Sequence, residues 1–495
     1  MKNSIYRLTF ILVAIGWVMM ATLSGCKKDE YNTSPDFRLA FSTDSVKFDT
    51  VFTTIGSATH VLKVYNKDNA YVNINNVRLL NDPNNSYRIN VDGLPGENLT
   101  NIEIGPKDSI FIFIEVTVNP NSNDLYPYVE GKIEFETNGS KQTVDLVAWG
   151  WDAIFYVPDV FPTNGLPNYR LISDEPAATV TWTAEKPIVV YGYLVVDSLQ
   201  NLVIEPGAQV FFHQGSGLWV YRGGNIKAEG TLEEPIVFQG DRLEPFYDEQ
   251  PGQWDRIWIN EGSADNVFEH VEIKNNFIGI QCEPLPFSNS AAETVSGNTL
   301  QLKNVKIWNN SIAGILSRNY RVRGQNLVIS SGGEYLLAGL GGGSYNFDNC
   351  TFANNWRFST RQTPSVFLTN MIPVSSTEVA VHSIPSSKFR NCIIYGNGLN
   401  EIGLDMDTEN ATVNLMFENS LIKAEEEVIE PIIDYFSGSF VGHNPGFIDF
   451  TNGDFHLMPD AFAIGKGQDI PGLSSDFDGN PYASPPAIGA YEFFE

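Results

Sequence analysis

Basic and aromatic residues alternate in two short stretches of this sequence, and their types are suited to holding a charged ligand. They are Arg318, Tyr320, Arg321 and Arg323 in the first stretch and Trp356, Arg357 and Arg361 in the second. A guanidinium group binds a carboxylate through two parallel hydrogen bonds, and an aromatic ring offers a flat surface for stacking. The pattern therefore predicts that these residues form a surface for an acidic glycan. Salt bridges from the arginines to neighbouring acidic residues are the alternative.

The charge balance of the whole chain sets these arginines apart. The sequence holds 31 Lys and Arg residues against 59 Asp and Glu residues, which gives a formal net charge of −28 at pH 7. So acidic a surface repels polyphosphates, and nucleic acid is therefore excluded as a partner.

Asp476, Asp478 and Gly479 could begin a calcium loop, but the glutamate that completes such a loop is missing, so a turn is preferred. No metal or other cofactor is predicted.

A repeated unit in the second half of the chain indicates which elements position these residues. The copies are residues 268–276, 302–310, 325–331, 347–355, 389–397 and 417–422. The starts at 302, 324 and 347 lie 22 and 23 residues apart, and the gap from 347 to 389 is 42 residues, close to two units. A unit of about 22 residues suits one coil of three short strands, stacked on its neighbours at about 4.8 Å. The repeat therefore predicts a parallel β-helix.

One asparagine recurs at the third position of the unit and predicts a structural ladder. It is Asn304, Asn326, Asn349, Asn391 and Asn419, with His270 in the same place in the earliest copy. Stacked amides can hydrogen-bond along the solenoid axis and cap the backbone of each turn. Cys350 and Cys392 follow the ladder at one inward position, and the 42-residue gap places them two coils apart. At about 9–10 Å they are too far apart for a disulfide.

The segments upstream of the repeat resemble a known family. Residues 202–211, 218–220, 223–231, 235–238 and 252–257 combine glycine turns with a covering tryptophan. This succession resembles the opening coils of right-handed parallel β-helix proteins of the pectin-lyase-like superfamily. The resemblance implies a right-handed β-helix over 195–475, preceded by a linker and N-terminal cap over 151–194. Residues 444–447, 454–457, 476–481 and 488–492 resemble the closing segment of bacterial surface β-helix proteins, so a closing segment over 476–495 is expected to cap the far end. The chain departs from the pattern at Asp255 and Arg256, where small residues are common.

Enzymes of that superfamily include polysaccharide lyases and glycoside hydrolases, and the resemblance makes such an activity the alternative function. The outward positions beside the ladder carry Glu269, Lys303, Asp348, Arg390 and Glu418, with alternating sign. This alternation favours cross-coil ion pairs over a catalytic pair. No pair of adjacent aspartates followed by Gly-His-Gly is present. No catalytic residue is predicted, and a non-catalytic protein is preferred, although a polysaccharide lyase stays open.

The N-terminus carries the pattern of a lipidated secretory protein. Lys2 and Arg7 precede an apolar run over 8–21, which is too short to span a bilayer comfortably. Leu23-Ser24-Gly25-Cys26 then resembles the lipobox of bacterial lipoproteins, which implies a signal peptide over 1–25 and lipidation of Cys26. The lysine and acidic residues that follow, in the tether 26–36, resemble the export signal of Bacteroidetes lipoproteins. This implies a palmitoylated protein on the outer face of the outer membrane.

Short alternating strands over residues 37–150 predict a separate first domain. The strand spacing and the turn at Asn138 and Gly139 favour an antiparallel sandwich, and the stretch resembles the immunoglobulin-like modules of bacterial surface proteins. The sequence thus predicts an all-β chain in which an Ig-like sandwich is followed by a right-handed parallel β-helix. Its predicted role is non-catalytic binding of a glycan or of an outer-membrane partner. The further alternative is an accessory subunit of an outer-membrane protein assembly.

Overall fold

The computed structural model describes residues 30–82, 84–119, 127–283 and 295–494. These residues are almost entirely β-structure, and the chain divides into two compact units, residues 1–152 and 153–495. Cys26, the predicted signal peptide and the first residues of the predicted tether lie outside the described residues, so lipidation stays a prediction. In the described ranges, no helix is both long and apolar enough to cross a membrane.

The first unit consists of two five-stranded sheets that share one core. In spatial order, one sheet holds Ala40–Phe41, His60–Tyr65, Ser109–Val116, Tyr87–Val91 and Leu94–Pro95, and the other holds Ser45–Phe52, Ser140–Trp151, Tyr128–Thr137, Val72–Leu80 and Asn98–Ile104. Alternate residues point inward: Leu62 and Ile112 come from one sheet, and Phe135 and Leu146 from the other. The strand pairs are antiparallel except that Ser45–Phe52 runs parallel to Ser140–Trp151.

The second unit is a parallel β-helix whose coils contribute strands to three stacks, here named A, B and C in the order in which each coil visits them. Stack A consists of Thr179–Trp182, Asn201–Ile204, Asn225–Glu229, the first parts of Val267–Lys274 and Thr299–Asn310, Arg321–Gln325, Ser344–Asp348, Ile384–Arg390, Val413–Glu418 and Phe436–Ser437. Stack B consists of Ile154–Tyr156, Ile188–Val190, Gln209–Phe212, Ile236–Gly240, the second parts of Val267–Lys274 and Thr299–Asn310, Val328–Gly332, Thr351–Asn354, Ile393–Gly396, Leu421–Ile422 and Phe440–Val441. Stack C consists of Tyr169–Leu171, Tyr193–Val196, Gly217–Val220, Trp254–Asn260, Asn276–Glu283, Ala313–Arg318, Tyr335–Leu340, Val366–Thr369 and Ile402–Asp405.

The parallel strands begin earlier than the sequence predicted. Ile154–Tyr156 already pairs with Ile188–Val190, and Tyr169–Leu171 pairs with Tyr193–Val196, inside the stretch expected to be a linker and cap. The repeated unit is absent from these first coils, because their turns are not built on the ladder asparagine. The stacked coils enclose a continuous core in which aromatic rings lie over one another. Phe212 stacks on Trp254 with ring centroids 4.4 Å apart, and Phe389 stacks on Phe417 at 4.6 Å.

The asparagine ladder occupies the corner between stacks A and B. Asn304, Asn326, Asn349, Asn391 and Asn419 all have positive φ values between 48° and 52°. Asparagine tolerates this left-handed conformation better than most residues do. The Asn326 amide donates to Asn304 Oδ1 at 2.9 Å, and the Asn391 amide donates to Asn349 Oδ1 at 2.8 Å. Burial lowers the pKa of His270, which favours a neutral ring, and its Nε2 lies 3.0 Å from the Asn304 amide nitrogen.

Replacing Asn391 tests how much one ladder amide stabilises the fold. Its side chain is buried, donates to Asn349 Oδ1 and to the Gln468 carbonyl, and accepts the Gln468 N–H. Asn391→Gly is expected to lower the free energy of unfolding by about 1–3 kcal/mol, because buried partners lose their hydrogen bonds. Asn391→Ala should cost more, since alanine also strains the positive φ. Urea unfolding measures both, with the exposed Asn414→Ala as control; equal stability of Asn391→Gly and wild type would contradict this role.

A second ladder lies at the corner between stacks B and C, and the sequence analysis did not identify it. Asn275, Asn309 and Ser331 have φ values of 63°, 55° and 50°. The Asn309 amide donates to Asn275 Oδ1 at 3.2 Å, and the Ser331 hydroxyl donates to Asn309 Oδ1 at 2.8 Å. This ladder is shorter than the first. Its repetition was hidden because serine replaces asparagine after two coils.

The prediction that Cys350 and Cys392 lie two coils apart is wrong. Thr351 pairs directly with Ile393, so the two cysteines sit in adjacent coils at one inward position. The 42-residue gap is one coil with a long insertion, which includes the hairpin of Met371–Pro373 and Val379–Val381. Both thiols are free and buried, as is that of Cys282. Burial, and then the Cys392 thiol beside it, raise the pKa of the Cys350 thiol, so Cys350 is a core residue without thiolate character.

The C-terminal segment was expected to cap the end of the solenoid, but it does not. The last parallel strands are Phe436–Ser437 and Phe440–Val441, and the short helices Glu426–Ile429 and Glu430–Tyr435 place Ile429, Ile432 and Tyr435 against the end of the core. The stretch 425–440 is therefore the cap. The chain then turns back along the solenoid through the hairpin of Phe447–Asp449 and Asp454–Leu457. It covers the outward face of stack B, with Ala463 and Ile488 packed on Val328 and Ile393.

His456 in this returning segment predicts a pH-dependent part of the stability. Its ring nitrogens lie 2.8 Å from Asp478 Oδ2 and 2.5 Å from Asp454 Oδ1, and these carboxylates, Asp478 first, raise its pKa to about 9. A raised pKa means that the stabilisation is complete below about pH 6.5 and is lost as the pH rises through about 9. Because the ring is half-exposed, the effect is expected to stay near 1 kcal/mol. Urea unfolding at pH 6 and pH 10 should show this difference in wild type but not in His456→Asn.

Candidate functional site

An open groove of about 450 Å³ lies on the outward face of stack A. It is lined by Thr299, Gln301, Arg321, Val322, Arg323, Ser344, Asn346, Asp348 and Arg390. Its floor consists of three successive coils in register. Arg323 pairs with Gln301 in the coil before and with Asn346 in the coil after, so these three side chains form one row across the coils.

The alternation of residues along the strands decides which side chains reach the groove. In Arg321–Gln325, Val322 and Gly324 point toward the core, so Arg321, Arg323 and Gln325 point outward. Gly324 is required by packing, since a Cβ there would lie 2.5 Å from the buried ring of Phe347. A register shift of one residue would bury both arginines and expose the apolar face. The packing of the core therefore fixes the position of the two arginines.

The charges in the groove are unequal. Arg390 donates to both carboxylate oxygens of Asp348, at 2.6 and 2.8 Å, and this pairing raises the pKa of Arg390. Asp348 is thereby neutralised and has little remaining exposure. Within the described part of the chain, the Arg321 side chain donates only to the Ser296 carbonyl. The Arg323 side chain has neither a hydrogen bond nor an ion pair to any described residue and is exposed. Among the described residues, these two guanidinium groups thus face an open groove without a carboxylate partner.

Ion pairs connect neighbouring coils along the edge of this groove. Lys303 binds Glu269 at 2.5 Å, and Asp348 binds Arg390 as described. Glu418 pairs with Lys388 at 2.9 Å rather than with Arg390. The alternating charges beside the ladder therefore form cross-coil ion pairs, as the sequence indicated. The exposed pairs Lys303–Glu269 and Lys388–Glu418 contribute little to stability, so their main effect is to fix which cations remain free.

The structure separates the residues that were predicted to form one ligand surface. Arg321 and Arg323 share the stack A groove. Arg318 lies on stack C, while Tyr320 is completely buried in the core and cannot reach a surface ligand. The physical reason is the corner at Asn319, whose φ is 45°. There the chain passes from stack C to stack A, so residues that adjoin in sequence project in different directions.

The second basic stretch is divided in the same way. Trp356 is nearly buried and donates its indole N–H to the Ser359 hydroxyl at 2.9 Å, so it is not a surface stacking platform. Arg357 reaches the side of stack B and pairs with Glu249. The Arg361 side chain is nearly buried and pairs with Glu401, in the salt-bridge role that was the alternative. Arg321 and Arg323 are thus the predicted residues that the groove brings together.

Stack C carries a charged cluster around the two residues that depart from the family pattern. Asp255 accepts a hydrogen bond from the Tyr193 hydroxyl and from Arg256 Nε at 2.9 Å. Arg256 also donates to Gln281, and the Trp258 indole N–H donates to Glu283 at 2.7 Å. Burial raises the pKa of both Tyr193 and Glu283. The cluster combines a carboxylate, a guanidinium group and a protonatable Glu283, but their hydrogen bonds are made to one another.

The candidate calcium residues form a turn. Asp476 is buried, and its carboxylate accepts the backbone N–H groups of Asp478, Asn480 and Glu492 at 3.0, 2.7 and 2.9 Å. Asp478 instead contacts His456. Across the ranges that the structure describes, no group of three or more His, Cys, Asp or Glu residues is arranged to hold a metal ion.

Comparisons with known proteins give no family for this chain. No family model matches it, and no curated protein does. Similar solved structures include the catalytic unit of a GH87 alpha-1,3-glucanase from Streptomyces thermodiastaticus, at 9% identity over 74% of this chain and 84% of that chain, with a TM-score of 0.17. A PapD-like domain of human CEP192 is similar at 10% identity over 26% of this chain and 96% of that chain, with a TM-score of 0.17.

A family 123 glycoside hydrolase from Clostridium perfringens is also similar, at 10% identity with a TM-score of 0.18. The match covers 30% of this chain and 30% of the length of that protein. TM-scores this low carry no argument about the function of this chain. The stack A groove therefore has to be interpreted from its own chemistry.

Proposed function

We propose that this chain is a lipoprotein of the outer-membrane surface that binds an acidic glycan on stack A without catalysis. The observation that carries the proposal is the unpaired Arg323, next to Arg321, in an open groove of a chain whose net charge is −28. Guanidinium groups bind carboxylates through paired hydrogen bonds. The amides and hydroxyls of Gln301, Asn346 and Ser344 in the same groove can bind sugar hydroxyls.

The shape of the groove favours an extended chain over a small molecule. It is open, and its floor repeats from coil to coil in register. A polymer with a charge on each residue can therefore lie along the coils and contact Arg321 and Arg323 through successive carboxylates. The proposal also includes a right-handed β-helix, because parallel crossovers nearly always adopt this hand. It further includes an Ig-like sandwich that serves as a spacer.

A binding panel tests the proposal and separates it from the lyase alternative. The full-length chain in detergent is titrated with polygalacturonate, with its methyl-esterified form and with a neutral glucan. Binding of the acidic polymer alone, weakened by added salt, is the expected result. Absorbance of unsaturated product is recorded in the same samples. Equal binding of the neutral glucan would contradict acidic recognition, and product formation would establish the lyase. The charged cluster around Asp255 and Glu283 is where such an activity would then be sought.

Lipidation of Cys26 is tested separately, because it decides where the protein works. Cells that express the full-length chain are fed an alkyne-labelled palmitate, and intact cells are then treated with protease. We expect a labelled protein that the protease reaches, and no label in Cys26→Ala. Label that persists in the variant would contradict lipidation at this residue. The alternative of an assembly subunit requires that the lipid-anchored protein co-purifies with an outer-membrane partner in fixed proportion.

A further inference from the structure

A second groove, on the opposite side of the asparagine ladder from stack A, has a different construction. It holds about 260 Å³ and lies on the outward face of stack B. Its floor is formed by Lys306 and Trp308 of Thr299–Asn310, with Ser330 in register beside Trp308 on the next coil. It has walls on two sides, and these come from distant parts of the sequence.

Hydrogen bonds tie both walls to the coils. One wall is the loop that ends at Glu249, whose carbonyl accepts the Asn309 amide at 3.0 Å, while the carbonyl of Asp248 accepts the Asn275 amide at 2.8 Å. The other wall is the turn of the C-terminal hairpin at 451–453, whose Thr451 carbonyl accepts the Asn355 amide at 3.3 Å. The second ladder therefore positions one wall, and the returning C-terminal segment supplies the other. Such a groove is built by the fold and does not depend on a ligand for its shape.

The lining of the groove combines cations with an aromatic ring. The Lys306 and Lys274 ammonium groups lie 5.4 and 5.6 Å from the ring centroid of Trp308. The Trp308 indole N–H is fixed by Glu272 Oε1 at 2.6 Å. In the part of the chain that the structure describes, Lys306 has no carboxylate partner. Its charge is not held in an ion pair, although Glu272 lies beside it in register on the preceding coil, and the fixed indole lies next to it.

Two further features point to a polar ligand. The Asn355 side-chain oxygen is buried and has no hydrogen-bond partner among the described residues, so it can accept from a hydroxyl group. Arg357 pairs with Glu249, and both side chains are about half-exposed, so this ion pair joins the two sides of the groove at its surface. A ligand carboxylate could replace the Glu249 carboxylate on Arg357 without leaving that cation unpaired.

We infer that this walled groove binds a single acidic sugar residue, at a site separate from the stack A groove. Lys306 and Arg357 would bind the carboxylate, Asn355 and Ser330 would bind hydroxyls, and Trp308 would contact the C–H face of the ring. The inference does not rest on the proposed function, because the two grooves share no residue. If both hold, a bound polysaccharide chain and its acidic terminus or side branch would occupy different faces of the β-helix.

Ligand-observed NMR with galacturonate, and with galactose as the neutral probe, tests this inference on the full-length chain in detergent. Wild type should bind galacturonate in preference to galactose. Trp308→Ala and Lys306→Gln should each weaken galacturonate binding by about tenfold. Glu249→Gln should strengthen it several-fold, because Arg357 then has no competing carboxylate. Lys47→Gln, which removes an exposed lysine of the first unit, should leave it unchanged. Repeating the titrations in the Arg321→Glu/Arg323→Glu background removes any contribution from the stack A groove.

Two controls keep the test decisive. Circular dichroism and the midpoint of thermal unfolding show whether Trp308→Ala still folds, and Lys306→Gln, which changes only a surface charge, carries the test if it does not. Equal binding of galactose and galacturonate would overturn the inference. So would unchanged galacturonate affinity in Lys306→Gln, or a loss of binding in Glu249→Gln.

Discussion

Replacing Arg361 with leucine is expected to lower the free energy of unfolding by about 3–5 kcal/mol, since it leaves a buried carboxylate without its cation. The Glu401 side chain is completely buried, and Arg361 is 6% exposed. Glu401 Oε1 accepts from Arg361 and from the Gly398 N–H, each at 2.5 Å, and Oε2 accepts from the Ser365 N–H at 3.1 Å. The pair thus fastens the insertion after Trp356 to the next coil. Urea unfolding monitored by tryptophan fluorescence measures the loss.

A double-mutant cycle separates the loss of attraction from the cost of an uncompensated charge. Arg361→Leu combined with Glu401→Leu should recover most of the stability, because no buried charge then remains. Arg242→Leu is the control: Arg242 pairs with Glu244 at the surface, and its loss should cost less than about 1 kcal/mol. A single Arg361→Leu variant that unfolds at the same urea concentration as Arg242→Leu would contradict the importance of this buried pair.

Replacing Phe389 with alanine is expected to lower the free energy of unfolding by about 3–5 kcal/mol. The ring is completely buried between Phe347 and Phe417, with centroid distances of 5.1 and 4.6 Å. The cavity would open between adjacent coils, and each coil of a solenoid is stabilised by its neighbours. Phe246→Ala removes a ring that is 70% exposed and serves as the matched control. Equal urea midpoints for the two variants would show that the aromatic stack does not stabilise the coils.

The repeat located the coils of the β-helix correctly wherever each coil carries one copy of the unit. The ladder asparagines and the charged column beside them recur at fixed positions, so their spacing revealed both the corner and the cross-coil pairs. The spacing failed between Phe347 and Phe389, where 42 residues form a single coil with a long insertion. An insertion lengthens the sequence without changing the register of the strands. A period alone cannot distinguish it from an additional coil.

The predicted ligand surface shows a different limit. Arg318 and Arg321 are close in sequence, yet the corner at Asn319 sends them to different stacks. If Asn319 had been recognised as a corner residue with a positive φ, Arg318 and Arg321 would have been assigned to different stacks. The walled groove on stack B had no sequence signal at all, because its walls lie at Glu249 and Thr451, far apart in the chain. Only the return of the C-terminal segment along the solenoid brings them together.

The central claim is that Arg321 and Arg323 bind an acidic glycan, and the dissociation constant of polygalacturonate tests it most directly. It is measured by calorimetry for the wild type, for the double variant Arg321→Glu/Arg323→Glu, and for Lys47→Glu/Lys67→Glu, which changes the net charge equally in the first unit. We predict that the arginine variant binds at least about tenfold more weakly, whereas the lysine variant keeps nearly the wild-type affinity. Equal affinities of the wild type and the arginine variant would contradict the proposed site.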